Sequence, residues 1–192
     1  MFALIIGIDT YESKAIKNLR GAVADARAVK AYLEKQLGVP QDHVTILENE
    51  FATRAAILEN LRSLANDARI QPQDPIVVYY AGHGSEIEGP PSWEAGGQNA
   101  NIQATMPYDV YCQSGSKMVD PIPDRILGAL LDGISQNKGD NIVSYRNTDF
   151  TCLSSDHNSL IQDRYNGLLP LCLWHQIIQR LIRLCAVYAG SL

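Results

Sequence analysis

Cysteine is sparse and scattered in this sequence. The four residues, Cys112, Cys152, Cys172 and Cys185, form no CxxC pair and stand at no zinc-type spacing with histidine. Neither a disulfide framework nor a metal site is indicated, and no cofactor is identified from the residues. No G-x-G-x-x-G and no G-x-x-x-x-G-K-[ST] is present, which weakens a reading as a generic nucleotide-binding or receiver-like doubly wound domain. Positive charge is not in excess: 16 Lys and Arg stand against 21 Asp and Glu, for a net charge of −5. With no basic stripe visible, nothing supports nucleic-acid binding. The acidic balance is ordinary for solubility. Long unbroken apolar runs are missing too. The richest stretch, Leu168 to Val187, is interrupted by His175, Arg180 and Arg183, which argues against a membrane span. The opening "MFALIIGIDTYES" lacks the charged start and the longer apolar core of a signal peptide, and so points to a cytoplasmic or nuclear protein. There are no internal repeats.

A length of 192 residues fits one domain, or one domain and a tail. "FALIIGI" is a short apolar run closed by Asp9 and reads as a buried strand. "DARAVKAYLEKQLG" places Ala26, Val29, Tyr32, Leu33 and Leu37 at helical spacing, with Gly38 and Pro40 as stop signals. "HVTILEN" is a second strand. Thr53 can cap the following helix, in which Ile57, Leu58, Leu61 and Leu64 share a face. "PIVVYYA" is apolar throughout, as a central strand covered on both sides would be. After a loop rich in Gly, Pro and Asn, "IQATMPYD" reads as a short strand. "IPDRILGALLDGISQNKGD" reads as a helix that Asp124 can cap, and "NIVSY" as the start of another strand. Strand alternating with helix predicts an α/β fold, a three-layer α/β/α sandwich on a mainly parallel sheet. Past Tyr145 the pattern stops: "RNTDFTCLSSDHNSLIQDRYNG" has neither a period of 2 nor one of 3.6.

The stretch "PIVVYYAGHGSEI" is the one that suggests chemistry. Ligands of open α/β sheets bind beyond the carboxyl ends of the strands, and His83 follows such a run directly. Gly82 and Gly84 are expected to permit sharp backbone angles and close approach of a substrate. The N–H of Gly84, unshielded by a side chain, can face a developing oxyanion. A histidine there can serve a nucleophile on a neighbouring strand as general acid and base. The plain alternative, a turn histidine between two glycines, is favoured for an isolated GHG, and the strand context shifts the balance only modestly.

Several ordered motifs shift it further. "ALIIGIDTY", "LRGAVADARAVKAYLEKQLGVP", "ATRAAILENL", "YYAGHGS" and "IPDRILGALLDGISQNKGDNI" together resemble the caspase-like cysteine peptidases, and among them the fungal metacaspase-like proteins. The resemblance spans about residues 1–142. It implies the caspase-like form of the fold above and a peptidase in which a cysteine thiolate attacks the scissile carbonyl. In that scheme His83 is the catalytic histidine and the Gly84 N–H is part of the oxyanion hole. Asp25 matches an acidic residue of a pocket for Arg or Lys, where a carboxylate would favour basic side chains. Asp25 also suits a cap for a helix starting at Ala26. Ala22 stands where metacaspases often carry Cys, and Ala81 where Ser is frequent.

The nucleophile of that family sits in a DCCHS-like turn after the next strand, and no such motif occurs in this sequence. Cys152 lacks the flanking acid and histidine, Cys172 lies in an apolar run, and Cys112 precedes the strand altogether; each reads as incidental. The codons can explain the gap. Val143-Ser144 can be written GTG AGT, a common intron start. One back-translation of "DRYNGLLPLCLWHQ", residues 163–176, read one base later, gives "TVIMDCCHSASGI". The expected organisation is therefore a caspase-like domain at 1–142 and an aberrant tail at 143–192. In the tail, residues 143 to about 161 translate a retained intron and the rest is a shifted exon. Its last part can form an amphipathic helix with Ile177, Leu181, Leu184 and Tyr188 on one side. The implied partners are protein or peptide substrates, with no nucleic acid and no membrane. Ca²⁺ activation enters only by family analogy. The competing reading is a catalytically inactive caspase-fold module that binds or regulates intact relatives.

Overall fold

The computed structural model describes residues 1–88 and 101–150. Its centre is a six-stranded sheet. The apolar runs found in the sequence form β1 (Phe2–Gly7), β2 (Val44–Glu48) and β3 (Ile76–Glu88). Two further strands, β4 (Asn101–Thr105) and β7 (Ile122–Pro123), complete the path β2-β1-β3-β4-β7, and β8 (Ile142–Phe150) pairs with β3. β1 is parallel to β2 and to β3, and β8 is parallel to β3. β4 runs antiparallel to the upper half of β3, and β7 antiparallel to β4. A small separate hairpin joins β5 (Gln113–Ser114) and β6 (Lys117–Met118). The sheet is thus mixed but mostly parallel.

Side-chain alternation sorts the strands between two cores. Ala3, Ile5, Val77, Tyr79 and Ala81 point to the helix α1 (Ala22–Lys35) and meet its Ala22, Ala26, Val29 and Leu33. Phe2, Leu4, Ile6, Ile76, Val78 and Tyr80 point to the other side. There α2 (Arg54–Asn66) supplies Ile57, Leu58 and Leu61, and α3 (Asp124–Lys138) supplies Ile134. Helices cover both faces, so the strands are apolar on both sides, as the sequence implied, and the layers are α/β/α. α1 comes very close to the sheet at Gly7, where an added Cβ would lie 2.6 Å from the Cβ of Ala26.

Several boundaries differ from the expectations. α1 starts at Ala22, one turn earlier than Ala26, because its cap is remote. The Asp9 carboxylate, at the end of β1, accepts the N–H groups of Ala22 at 2.8 Å and Val23 at 3.3 Å. Asp25 is consequently not a cap; it lies inside the first turn and is buried. α1 ends at Lys35, and Gly38 then adopts φ +66°, the left-handed conformation that glycine tolerates best. Thr53 does cap α2, its Oγ1 accepting from the Ala56 N–H at 3.2 Å, and Asp109 Oδ1 accepts from the Arg54 N–H at 2.8 Å. Asp124 does not cap α3. Pro123 holds the cap position, Asp124 is the first helical residue, and its carboxylate pairs with the guanidinium of Arg146. β8 runs through Phe150, past the point where the sequence pattern stops, because β3 offers a ladder partner for every residue from Ile142 onward. Residues 89–100, expected as a loop, and residues 151–192, with Cys152, Cys172, Cys185 and the back-translated segment, lie outside the described residues.

Candidate active site

His83 sits inside β3 rather than at its tip. β4 folds back against residues Gly84 to Glu88, so the strand continues through the histidine for five more residues. Gly82 and Gly84 are extended members of this strand, and neither is among the positive-φ glycines Gly38, Gly115 and Gly139. The expected sharp turn is absent. Gly82 is required for space instead: a Cβ there would lie 2.5 Å from the Tyr80 hydroxyl oxygen and 3.1 Å from that of Tyr11.

His83 is 3% exposed. Its Nε2 lies 2.7 Å from the carbonyl oxygen of Lys17, in the loop after β1. A carbonyl only accepts, so Nε2 carries the proton, and in the neutral ring Nδ1 keeps its lone pair. Nδ1 is buried and has no hydrogen-bond partner among the described residues; the same holds for Ser85 Oγ, two residues along the strand on the same face. Leaving such groups unpaired costs about 1–3 kcal/mol each.

The main chain around His83 is also held. The N–H of Ile8 donates to the Ala81 carbonyl at 2.9 Å and that of Met106 to the His83 carbonyl at 3.1 Å. The peptide groups of residues 81 and 83 therefore face the β1 and β4 edge. Alternation turns the N–H of Gly84 to the other edge, where β8 runs with Phe150 as its register partner, so in this chain that edge is paired with a strand rather than open to a substrate oxygen. Asp149 occupies the register position beside His83.

Asp25 lies on the helix that covers the face to which Val77, Tyr79 and Ala81 point, and alternation puts His83 on that face as well. The first turn of α1 packs beside Gly7, at the carboxyl end of β1, so Asp25 and His83 belong to the same end of the sheet. Cys112 is the one cysteine among the described residues, and it is a poor nucleophile. Desolvation, followed by the nearby carboxylates of Glu12 and Asp109, pushes its thiol pKa up. No group of three His, Cys, Asp or Glu side chains among the described residues is placed to hold a metal ion. Among those residues, too, no helix is long and apolar enough to cross a membrane.

Sequence reasoning did not find four contributors: the Lys17 carbonyl, Tyr11, Asp9 and Asn49. A main-chain carbonyl leaves no mark in a sequence. Asn49 adopts φ 44° and accepts the N–H groups of Asp9 at 2.9 Å and Thr10 at 3.1 Å, pinning the root of the loop that reaches His83. Asn in the left-handed region after a strand is a recognisable signal, but its partner 40 residues away is not.

A mostly parallel sheet between helices, with a buried histidine on the central strand held by the loop after the first strand, defines an α/β domain of caspase-like form. The family model "Caspase domain" matches residues 1–127, and the chain belongs to that family. Metacaspase-1 of Eremothecium gossypii is 30% identical over 139 residues, covering 69% of this chain and 29% of that protein. Metacaspase-1 of Ajellomyces capsulatus is likewise 30% identical over 139 residues, covering 69% of this chain and 36% of that protein. The chain thus spans about a third of the length of these relatives. In fold it is similar to protein GSU0716 from Geobacter sulfurreducens, with a TM-score of 0.54 at 20% identity over 76% of this chain and 48% of that one.

Proposed function

We propose that this domain is built for hydrolysis of peptide bonds after Arg or Lys by a Cys–His dyad, with His83 as the histidine, and that the chain as written lacks the cysteine. The observation that carries the reading is the state of His83: Nε2 tied to a carbonyl, Nδ1 buried and without a hydrogen-bond partner among the described residues. That is the form a general acid and base takes when its second nitrogen is kept for a nucleophile. In the reaction Nδ1 of His83 takes the proton of the thiol, the thiolate sulfur adds to the scissile carbonyl carbon, and the carbonyl electron pair moves to oxygen, toward the N–H of Gly84. Collapse of this intermediate breaks the C–N bond, and the leaving amine takes its proton from the His83 imidazolium. Water, giving its proton to His83, then releases the acid and restores the thiolate. Asp25 would meet the guanidinium or ammonium of the substrate.

The missing cysteine is assigned to the DNA: residues 143 to about 161 from a retained intron, and the family's nucleophile turn one base out of frame beneath "GLLPLCLWH". Sequencing of genomic DNA and transcripts across codons 140–180 tests this, and a next frame without Asp-Cys-Cys-His-Ser ends it. The chain as written is expected to leave Arg- and Lys-containing peptides intact. The frame-restored protein is expected to cleave them and to lose roughly 10²–10⁴-fold in rate on His83→Ala. Cleavage by the chain as written would overturn the loss of the nucleophile. The absence of any nucleophile motif also favours a second reading of this chain, an inactive caspase-fold module acting on intact relatives; co-purification with such a protein tests it. A cytoplasmic or nuclear site of action completes the proposal, and imaging of the tagged chain checks it.

A further inference from the structure

We infer that Tyr11 is a positioning residue for His83, clamping its main chain and ring so that Nε2 stays on the Lys17 carbonyl and Nδ1 stays free; this rests on the reading of His83 as the acid and base. The hydroxyl of Tyr11 accepts the His83 N–H at 2.7 Å, and its ring lies against the imidazole with centroids 5.2 Å apart. The opposite end of the same residue is held as well. The Tyr80 hydroxyl oxygen lies 2.9 Å from the His83 carbonyl oxygen and 2.8 Å from that of Met106. Burial, reinforced by Tyr11 beside it, holds the Tyr80 phenol well above its usual pKa, so this hydroxyl stays protonated and able to donate.

Both tyrosine hydroxyls occupy the space that Gly82 leaves open. The histidine between the two glycines is therefore held at its N–H by the Tyr11 phenol, at its C=O by the Met106 N–H together with the Tyr80 hydroxyl, whose one proton the His83 and Met106 carbonyls share, and at Nε2 by the Lys17 carbonyl. Two of these three grips come from one loop. Within that loop the N–H of Tyr11 donates to Asn18 Oδ1 at 3.2 Å, and Asn18 follows Lys17 directly. Tyr11 and the Lys17 carbonyl are thus two jaws of one device, rooted by the bonds of Asn49 to Asp9 and Thr10. A tyrosine serving only as core filling would need its ring but not this hydroxyl.

Tyr11→Phe keeps the ring and removes the hydroxyl, which separates the two roles. The readout is the imidazole ¹⁵N spectrum and the amide exchange of His83 in the full chain. Expected in the unaltered chain is a single tautomer protonated on Nε2. Expected in Tyr11→Phe is a mixture of tautomers and exchange of the His83 amide faster by about 10-fold, the worth of one hydrogen bond. A folded Tyr11→Phe with unchanged tautomer and unchanged exchange overturns the inference. Should the variant not fold, the unaltered chain decides: a single Nε2-protonated ring upholds the clamp, and an Nδ1-protonated or mixed ring removes it. The peptidase reading fails separately. If the frame-restored protein keeps its activity on His83→Ala, that reading falls while the ¹⁵N result for Tyr11 stands. If His83→Ala abolishes activity and Tyr11→Phe leaves the ring unmoved, the clamp falls and the peptidase reading stands.

Discussion

A methyl group added at Gly82 would sit 2.5 Å from the Tyr80 hydroxyl oxygen, whereas one added at Gly128 in α3 would meet nothing within 4 Å. The two glycines therefore predict opposite outcomes. Gly82→Ala is expected to destabilise the fold by about 1–3 kcal/mol through overpacking. Gly128→Ala is expected to stabilise it by roughly 0.5–1 kcal/mol through lower backbone entropy in the unfolded chain. Urea titrations of both variants check the contrast. Asp67 offers a test by pH. Its carboxylate takes hydrogen bonds from the side chain and the backbone N–H of Arg69, at 2.7 Å and 2.9 Å among others, and these hold its pKa down to about 2. A carboxylate with a lowered folded pKa adds stability above its unfolded value. That contribution is lost as pH falls from about 4 through about 2. Carboxyl-carbon NMR should show Asp67 titrating near 2, and Arg69→Ala should move it back toward the ordinary range.

At the scale of elements, the helix starts divide by how far away their caps lie. Thr53 stands three residues before the N–H it accepts, so the start of α2 is legible locally. The start of α1 depends on Asp9, thirteen residues upstream in the loop after β1, so periodicity alone places it a turn late. α3 has no side-chain cap, because its cap position is held by Pro123, which carries no acceptor, while Asp124 lies inside the helix and pairs with Arg146. Asp9→Ala and Thr53→Ala are each expected to cost about 1 kcal/mol. Asp9→Ala should in addition loosen the loop that carries Tyr11 and Lys17. Hydrogen exchange at Ala22 and Val23, compared with that at Ala56, would assign each loss to its own helix. β3 shows the same limit from the side of the sheet. Gly-His-Gly reads as an ending, yet β4 supplies partners for five residues beyond His83.

At the scale of the whole molecule, one sheet is shared by two cores, so damage to either face should be felt by both. Leu33, fully buried on the α1 side, and Ile57, buried on the α2 side, are each expected to cost about 2–5 kcal/mol on truncation to Ala. In either variant a single cooperative transition should persist by fluorescence and by circular dichroism. Two separated transitions would show that the layers unfold independently.

Hydrophobic period and local punctuation determined the first three strands, the three helices and the α/β/α layering, because each of those signals lies within one element and follows from its own residues. The order of the short motifs was enough to mark the family, and the apolar run ending in Gly-His-Gly drew attention to His83, to which the resemblance then gave a role. What only the tertiary structure decided is how that histidine is held. Its Nε2 acceptor is the Lys17 carbonyl, its N–H ends on a phenol 72 residues away, and the space for that phenol exists because Gly82 has no side chain. These are contacts between distant parts of the chain, made by main-chain atoms and by the absence of an atom. A sequence does not display such contacts until the sheet brings its strands and loops together.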